Sequence, residues 1–292
     1  MVFTARSSAK YILSGEHSVL RGYPAIVFPI PQKYIELSYS YGSTNLKVDF
    51  TGEFERPVVL VFWGLLSEAM QKVQRKKEDL KGNISIYNNI PLGMGMGFSA
   101  ALCVVITKLF IALDWLGRDE LFAFATSLED YFHGKSSGLD ILGSLSTTGM
   151  YFNDKKSYCS IDMLWQPHLY LMYSGKVSVT AKCVKQVADI YARDQKQGKI
   201  IDIKMAKSVE DAKHSLIKDG VGFSQLAAAI NNANECFKSW GLVPPEVESK
   251  VNFMLRHGAV AVKPTGAGDG GFLLGLWESE PSAEISARLI KV

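Results

Sequence analysis

Three glycines recur at every second position in residues 91–101, where Gly93, Gly95 and Gly97 precede a long apolar stretch. Glycine has no Cβ atom, so such a backbone adopts positive φ angles and approaches a ligand closely. The apolar stretch, residues 100–113, predicts a helix that begins directly after the loop. Bare N–H groups at a helix N-terminus are typical of an anion site, and a nucleotide phosphate is the anion we expect. The alternative is a glycine-rich turn that merely joins a strand to a buried helix.

Charged side chains stand in two further segments. Lys10 lies in an otherwise apolar predicted strand, where burying a charge is costly without a partner or a ligand, and Gly15-Glu16-His17 follows. Glu129 and Asp140 flank a Ser-Ser-Gly loop, and two carboxylates so placed suit a metal ligand and a base. The alternative for Lys10 is a lysine at a strand edge with its ammonium in water. The alternative for Glu129 and Asp140 is ordinary turn chemistry at a helix end.

Residues 263–271 form another glycine-rich segment, a backbone nest of the kind that also binds phosphate. Two other motif likenesses fail. Gly134-Lys135-Ser136 imitates the end of a P-loop, but the glycine required five residues earlier is Glu129. Gly95-x-Gly97-x-x-Ala100 imitates a dinucleotide fingerprint, but Pro91-Leu92 separates it from the preceding strand, and the acidic residue that follows closes the same helix.

The composition is that of a globular protein. The chain has 292 residues, 47% hydrophobic and 21% charged, and its length suits two domains. A net charge of +3 with both signs interspersed gives no indication of nucleic acid as a partner. Scattered cysteines and histidines argue against a zinc or redox site. With no signal segment and no apolar run long enough to span a membrane, we expect a cytoplasmic protein with no membrane partner.

Hydrophobic periodicity predicts the elements that must position these residues. Strands are expected over residues 2–13, 25–30, 34–41, 46–50, 83–88, 149–153, 168–173, 259–263 and 271–277, the last two pairing with each other. Helices are expected over residues 58–76, 100–113, 118–132, 181–197, 203–217, 224–240 and 245–257. Because regular βαβ alternation is missing, we predict an α+β fold in two halves that join near residues 154–166.

The order of these motifs resembles the GHMP kinase family over nearly the full chain. That family carries a lysine strand ending in Gly-Glu-His, then a Pro-x-x-x-Gly-Leu-Gly-Ser-Ser-Ala-Ala loop, then a Lys-x-Thr-Gly-Ala-Gly-Gly-Gly loop. Here they are Lys10 with Gly15-Glu16-His17, residues 91–101 and residues 263–271. Residues 129–140 are similar, with identical spacing, to Glu-x-x-x-His-Gly-x-Pro-Ser-Gly-x-Asp of the branch that phosphorylates mevalonate.

The resemblance implies a fold and an activity. It implies an N-terminal domain like ribosomal protein S5 domain 2 over residues 1–158 and a ferredoxin-like C-terminal domain over residues 159–292. It implies ATP-dependent phosphorylation of mevalonate to 5-phosphomevalonate in isoprenoid biosynthesis, with Mg²⁺ as cofactor. Another GHMP kinase, acting on phosphomevalonate or a sugar, is the alternative. A non-catalytic pseudokinase and an NAD(P)-binding oxidoreductase are more distant ones. The resemblance leaves open whether the protein forms a homodimer.

The same resemblance implies a role for each motif residue. The ATP phosphates are assigned to two loops, comprising Gly93, Met94, Gly95, Met96, Gly97, Phe98 and Ser99, and Thr265, Gly266, Ala267 and Gly268. Ser99 and Glu129 would hold Mg²⁺. Asp140 would accept the proton of the acceptor's primary hydroxyl, and Lys10 would stabilise the developing alkoxide. The acceptor-binding set is Lys10, Glu16, His17, Ser137 and Asp140.

Four residues depart from the family pattern. Phe98 replaces a serine, Ser136 a proline, Ile141 an asparagine and Asp269 a glycine. Phe98 removes a hydroxyl from the phosphate loop, which leaves the backbone amides and Ser99 to bind the phosphates. Asp269 adds a negative charge near the expected nucleotide. Both changes bear on substrate identity more than on fold.

Overall fold

The computed structural model describes residues 2–53, 55–134, 136–154, 157–218 and 222–292. The chain divides into two units. The first consists of Met1–Lys10, Pro29–Leu92 and Met96–Thr147, and the second of Tyr11–Phe28, Gly93–Gly95 and Thr148–Val292. Lys135, and Lys155-Lys156 in the predicted junction, lie outside the described residues. The domain boundary after residue 158 stays a prediction.

The strands of the first unit come from the N-terminal part of the chain. They belong to β1 (Val2–Ser14), β2 (Ala25–Asn45), β3 (Lys47–Gly52) and β4 (Lys81–Asn88). β4 is antiparallel to β2 and parallel to β3, and β1 pairs with β2.

The prediction of separate strands over residues 25–30 and 34–41 was wrong, because β2 continues through the intervening prolines. Arg6 donates to the backbone oxygen of Pro31 and Asn89 accepts from the backbone nitrogen of Tyr34, so side chains bind backbone groups there. The strand therefore remains extended where the sequence suggested a break.

The helices of the first unit surround one apolar helix. They are α1 (Glu55–Lys72), α2 (Phe98–Ala112), α3 (Leu121–His133) and α4 (Leu139–Leu145). A helix that is apolar on every side must be buried, and α2 packs against the other three. Its N-terminus follows the glycine loop directly, as predicted. The short α4 was not predicted, because the Ser-Ser-Gly sequence before it reads as a loop.

The second unit contains a four-stranded antiparallel sheet. After β5 (Met150–Asp154) and β6 (Ser157–Ser160) come β7 (His168–Tyr173), β8 (Ala259–Pro264), β9 (Phe272–Trp277) and β10 (Ile290–Lys291). The strand order is β10-β7-β9-β8, so the predicted pairing on either side of the 263–271 loop is confirmed. β5 pairs with β6 and, in this unit, with Ala25, Ile26 and Val27 at the start of β2.

The helices of the second unit are α5 (Thr180–Arg193), α6 (Gln195–Leu216), α7 (Gly222–Ser239), α8 (Pro245–Arg256) and α9 (Ala283–Ser286). α7 and α8 pack against β8, and α6 packs against α5 and α7. The predicted helix break at residues 197–203 was wrong. It lies at Asp194, whose carboxylate accepts from the Gln197 amide and begins α6.

The α+β class predicted from the sequence is confirmed. Across the ranges that the structure describes, none of the helices combines the length and the apolar character needed to cross a bilayer.

Candidate active site

Lys10 and Asp140 form a close ion pair in the first unit. The Lys10 Nζ atom lies 2.9 Å from the Asp140 Oδ1 atom, and the side chains are 2% and 29% exposed. Asp140 was expected beyond a loop, but it lies in the first turn of α4, where the helix dipole favours a carboxylate. The lysine in the apolar strand therefore has the partner that its burial requires.

Gly97 makes room for the Lys10 side chain. Its φ of 78° is left-handed, and it forms the N-cap of α2. A Cβ atom on Gly97 would lie 2.8 Å from the Lys10 Cγ atom, so even alanine would force the lysine to move. The backbone nitrogen of Lys10 also donates to the oxygen of Met96. Met96 and Gly97 of the glycine loop thus pack directly against the charged pair.

The first turn of α2 carries the remaining loop residues. Phe98 begins the helix and is buried, with 8% exposure, so the departure from the family serine adds a ring to the interior. Ser99 follows and is half-buried. It lies in the first turn of α2, which begins two residues before the predicted start at residue 100, and its metal-binding role stays a prediction.

Glu129 is buried in α3 and oriented by Ser136. The Ser136 hydroxyl donates to the Glu129 Oε2 atom at 2.5 Å, and the Ser136 amide donates to Asp130 at 2.6 Å. Ser136, where the family has proline, therefore fixes the carboxylate. Burial first, and then the negative charge of Asp140, raise the pKa of Glu129 to about 8.

The surroundings of Glu129 fit a magnesium ligand. Its buried Oε1 atom has no hydrogen-bond partner among the described residues. Those residues also include no group of three or more His, Cys, Asp or Glu side chains that could hold a metal ion. Mg²⁺ is usually held by one or two carboxylates together with water and substrate phosphates, so a single inward carboxylate suits it.

In the second unit, the two glycine-rich loops lie against each other. A Cβ atom on Gly95 would lie 3.5 Å from the Thr265 backbone oxygen, and one on Gly271 would lie 2.8 Å from the Met94 oxygen. Gly271 also has a φ of 73°, so a side chain there would be both strained and crowded. The structure thus brings Gly93–Gly95 together with the 265–271 loop.

His17 is buried beside the same loop. Its Nε2 atom lies 2.8 Å from the Ala267 backbone oxygen, and its φ of 59° is unusual for a residue with a side chain. Such strain costs about 1–3 kcal/mol and is concentrated at functional sites. Burial lowers the pKa of His17 to about 4, so its ring is neutral at pH 7.

Glu16, the neighbour of His17, forms an ion pair with Lys263, for which no role was predicted. Like Lys10, Lys263 is a lysine in an apolar strand, and that pattern could have predicted a buried partner for it.

Ser137 and Ile141 have evident local roles. The Ser137 hydroxyl accepts from the Leu139 amide at 3.2 Å and so helps to begin α4. Its contact with an acceptor stays a prediction. Ile141, which replaces the family asparagine, has no exposed surface and anchors α4 in the core.

The charge that Asp269 adds to the glycine loop is neutralised. Its carboxylate lies 2.6 Å from the Lys176 ammonium and 3.3 Å from the Lys182 ammonium. The Asp269 amide also donates to the Leu242 oxygen. The departure from the family glycine is therefore accommodated by two lysines of the same unit.

The chain is similar to known proteins along its whole length. Residues 64–147 match the family described as GHMP kinases N terminal domain. A mevalonate kinase of Thermococcus onnurineus is 27% identical, covering 98% of this chain and 92% of that protein. The L. major mevalonate kinase in complex with R-mevalonate has a TM-score of 0.78 at 22% identity, covering 95% of this chain and 88% of that one.

Other members share the fold. The Streptococcus pneumoniae phosphomevalonate kinase, solved with phosphomevalonate and AMPPNP, has a TM-score of 0.74 at 14% identity and covers 95% of this chain and 93% of that one. These structures establish the two-domain fold, and the sequence relatives extend the likeness across both halves of the chain. Residues 64–147 accordingly match a GHMP kinase N-terminal domain, and the whole chain is similar to small-molecule kinases of that family.

Proposed function

We propose that the protein transfers the γ-phosphoryl group of ATP to the primary hydroxyl of mevalonate, giving 5-phosphomevalonate and ADP. The observation that carries the proposal is the ion pair between the buried Lys10 and the partly exposed Asp140 beside Gly97. The names of the sequence relatives, mevalonate kinases of similar length, support the choice of acceptor. His17 supports it as well, since phosphomevalonate kinases usually have tyrosine at that position.

Phosphoryl transfer depends mostly on positioning and on charge stabilisation. Asp140 accepts the proton of the attacking hydroxyl, and its ion pair with Lys10 orients its carboxylate. The Lys10 ammonium then lies next to the oxygen on which negative charge develops. Because Lys10 is almost fully buried, its charge is screened little by water.

The nucleotide is assigned to the two glycine-rich loops. Backbone N–H groups of residues 93–99 and the N-terminus of α2 bind its phosphates, and Thr265–Gly268 contribute from the second loop. Glu129 and Ser99 would hold Mg²⁺, which neutralises phosphate charge when bound. The family resemblance assigns the acceptor to Lys10, Glu16, His17, Ser137 and Asp140. The His17 ring is neutral at pH 7, because burial lowers its pKa to about 4.

A coupled ADP-release assay tests the choice of acceptor. Purified protein is given ATP and Mg²⁺ with mevalonate, phosphomevalonate, homoserine or a set of sugars, each across a range of concentrations. We expect the highest kcat/KM with mevalonate, and mass spectrometry should identify 5-phosphomevalonate. A preference for phosphomevalonate or for a sugar would reassign the acceptor within the family. If none of these acceptors led to ADP release, the proposal would be contradicted.

Replacing Asp140 by asparagine should abolish turnover. Asp140→Asn keeps the shape of the side chain but removes its ability to accept a proton, so kcat should fall by about 10²–10⁴-fold. The Kd for ATP should change little. Asp211→Asn, at an exposed pair with Lys207, is the matched control. If the variant kept about a tenth or more of the wild-type kcat, Asp140 could not be the general base.

Replacing Glu129 by glutamine should weaken magnesium binding, so that the enzyme needs a higher Mg²⁺ concentration. Loss of an outer partner of a metal ligand already costs about 10–100-fold in affinity, so removal of the ligand charge should raise half-saturating Mg²⁺ by about tenfold or more. Glu68→Gln, at a half-exposed ion pair within α1, is the control. An unchanged magnesium titration would refute the assignment of Glu129.

The same substitution should stabilise the protein at high pH. In the absence of metal, burial and the Asp140 charge raise the pKa of Glu129 from 4.5 to about 8. The folded protein therefore holds a proton that the unfolded chain releases, and this group's contribution to the free energy of unfolding is lost as pH rises from 4.5 towards 8. Thermal melting in EDTA should show Glu129→Gln gaining more over wild type at pH 8 than at pH 5.

A further inference from the structure

Lys263 is a fully buried lysine at the end of β8, directly before the Thr265–Gly268 loop. Its side chain has no exposed surface, and that of Glu16 is 1% exposed. The Lys263 ammonium donates to the Glu16 Oε1 atom at 2.5 Å, to the Pro264 oxygen at 2.7 Å and to the Ile12 oxygen at 3.3 Å. One cation thus binds a carboxylate and two backbone carbonyls.

These acceptors belong to two segments that are far apart in sequence. Glu16 precedes Lys263 by 247 residues, and both lie in the second unit. Two further contacts join the same segments. The Thr265 hydroxyl donates to the Ile12 oxygen at 3.0 Å, and the His17 ring lies 2.8 Å from the Ala267 oxygen. Lys263 is therefore the charged centre of the junction between the Gly15-Glu16-His17 turn and the 265–268 loop.

Stability alone does not account for this pair. Taking two charges out of water is costly, and apolar residues of similar volume are often as stabilising as a buried ion pair. The surroundings are apolar: the Phe237 ring lies 5.4 Å from the Lys263 ammonium and is itself buried. In such surroundings a shift of either segment would leave a buried charge unpaired, which is strongly destabilising. The pair therefore restricts the two segments to one register.

We propose that Lys263 is a positioning residue for the kinase reaction. Through Glu16 and the Ile12 carbonyl, it holds the turn that carries His17 in a fixed place relative to Thr265–Gly268. The inference rests on the proposed function, in which His17 contacts the acceptor and the 265–268 loop contacts the nucleotide. Lys263 itself touches neither substrate.

Positioning predicts a kinetic pattern that differs from loss of a catalytic residue. Lys10 and Asp140 remain in place, so kcat should fall less than in Asp140→Asn. The KM values for both ATP and mevalonate should rise, because both binding segments lose their register. A misplacement of about 1 Å costs about 10²-fold in rate, so kcat/KM should fall by about that factor.

The decisive comparison is between a single and a double variant. Lys263→Met leaves the Glu16 carboxylate buried without its cation and should lower the melting temperature. Lys263→Met with Glu16→Gln removes both charges and should recover the melting temperature, yet kcat/KM for ATP should stay about 10²-fold low. This readout does not depend on the acceptor contact assigned to Glu16. Lys291→Met with Glu280→Gln, at an exposed lysine–glutamate pair of the same unit, is the matched control and should leave both quantities unchanged.

Amide hydrogen exchange provides a readout that needs no turnover. In the double variant, faster exchange should be confined to residues 12–18 and 264–268. The Kd for Mg²⁺ and AMPPNP should also rise. These measurements do not depend on the acceptor. Absence of mevalonate turnover by wild type would therefore contradict the proposed function, while the positioning role is still judged by exchange and nucleotide binding.

Two outcomes would overturn the proposal. One is a double variant that recovers both its melting temperature and the wild-type kcat/KM, since the pair would then act on folding alone. If neither charge-deleted variant folds, Glu16→Asp decides, because it keeps both charges and shortens the link by one methylene. We expect raised KM values for both substrates in that variant. Wild-type KM values there would overturn the positioning role.

Discussion

The burial of one positive charge constrains the centre of the first unit. Lys10 is 2% exposed within a strand, and a buried ammonium needs a carboxylate close by. Asp140 meets that need from α4, and Gly97 leaves the space through which the lysine side chain passes. Within the first unit, Lys10 of β1, Gly97 and α4 are therefore held together by a single interaction. The same interaction places an ammonium and a carboxylate side by side.

A second carboxylate near this pair makes the arrangement unfavourable without a ligand. Glu129 is buried, and the Asp140 charge adds to the cost of ionising it. Ser136 binds one of its oxygens, and the other lacks a hydrogen-bond partner among the described residues. Carboxylates whose pKa is raised by burial and by a neighbouring like charge are concentrated at functional sites. A bound cation would offset the cost of ionising Glu129.

Much of this could be predicted from the sequence, because periodicity and glycine spacing are local properties. Most strands and helices were predicted near their observed positions, and the need of Lys10 for a partner followed from its apolar neighbours. The helix that carries Asp140 was not predicted, since seven residues after Ser-Ser-Gly give too little periodicity. The uninterrupted β2 depends on side chains distant in sequence, Arg6 and Asn89, which bind its backbone.

The departures from the family pattern could be understood only in three dimensions. From the sequence, Asp269 is an unfavourable charge in a glycine loop, but in the structure Lys176 and Lys182 lie beside it and neutralise it. Ser136 reads as a lost proline until its hydroxyl is found on Glu129. The pairing of Lys263 with Glu16 joins residues 247 positions apart, which no local pattern reveals. Each case depends on tertiary contacts.

The most direct test of the central claim, that Lys10 and Asp140 carry out phosphoryl transfer, is a single-turnover measurement on Lys10→Met. Enzyme in excess over γ-labelled ATP is mixed with saturating mevalonate and Mg²⁺, and labelled product is followed in time. We expect the transfer rate to fall by about 10²–10³-fold, as for loss of other groups that stabilise developing charge, with ATP still bound. A transfer rate within about threefold of wild type, less than 1 kcal/mol in activation free energy, would contradict the claim.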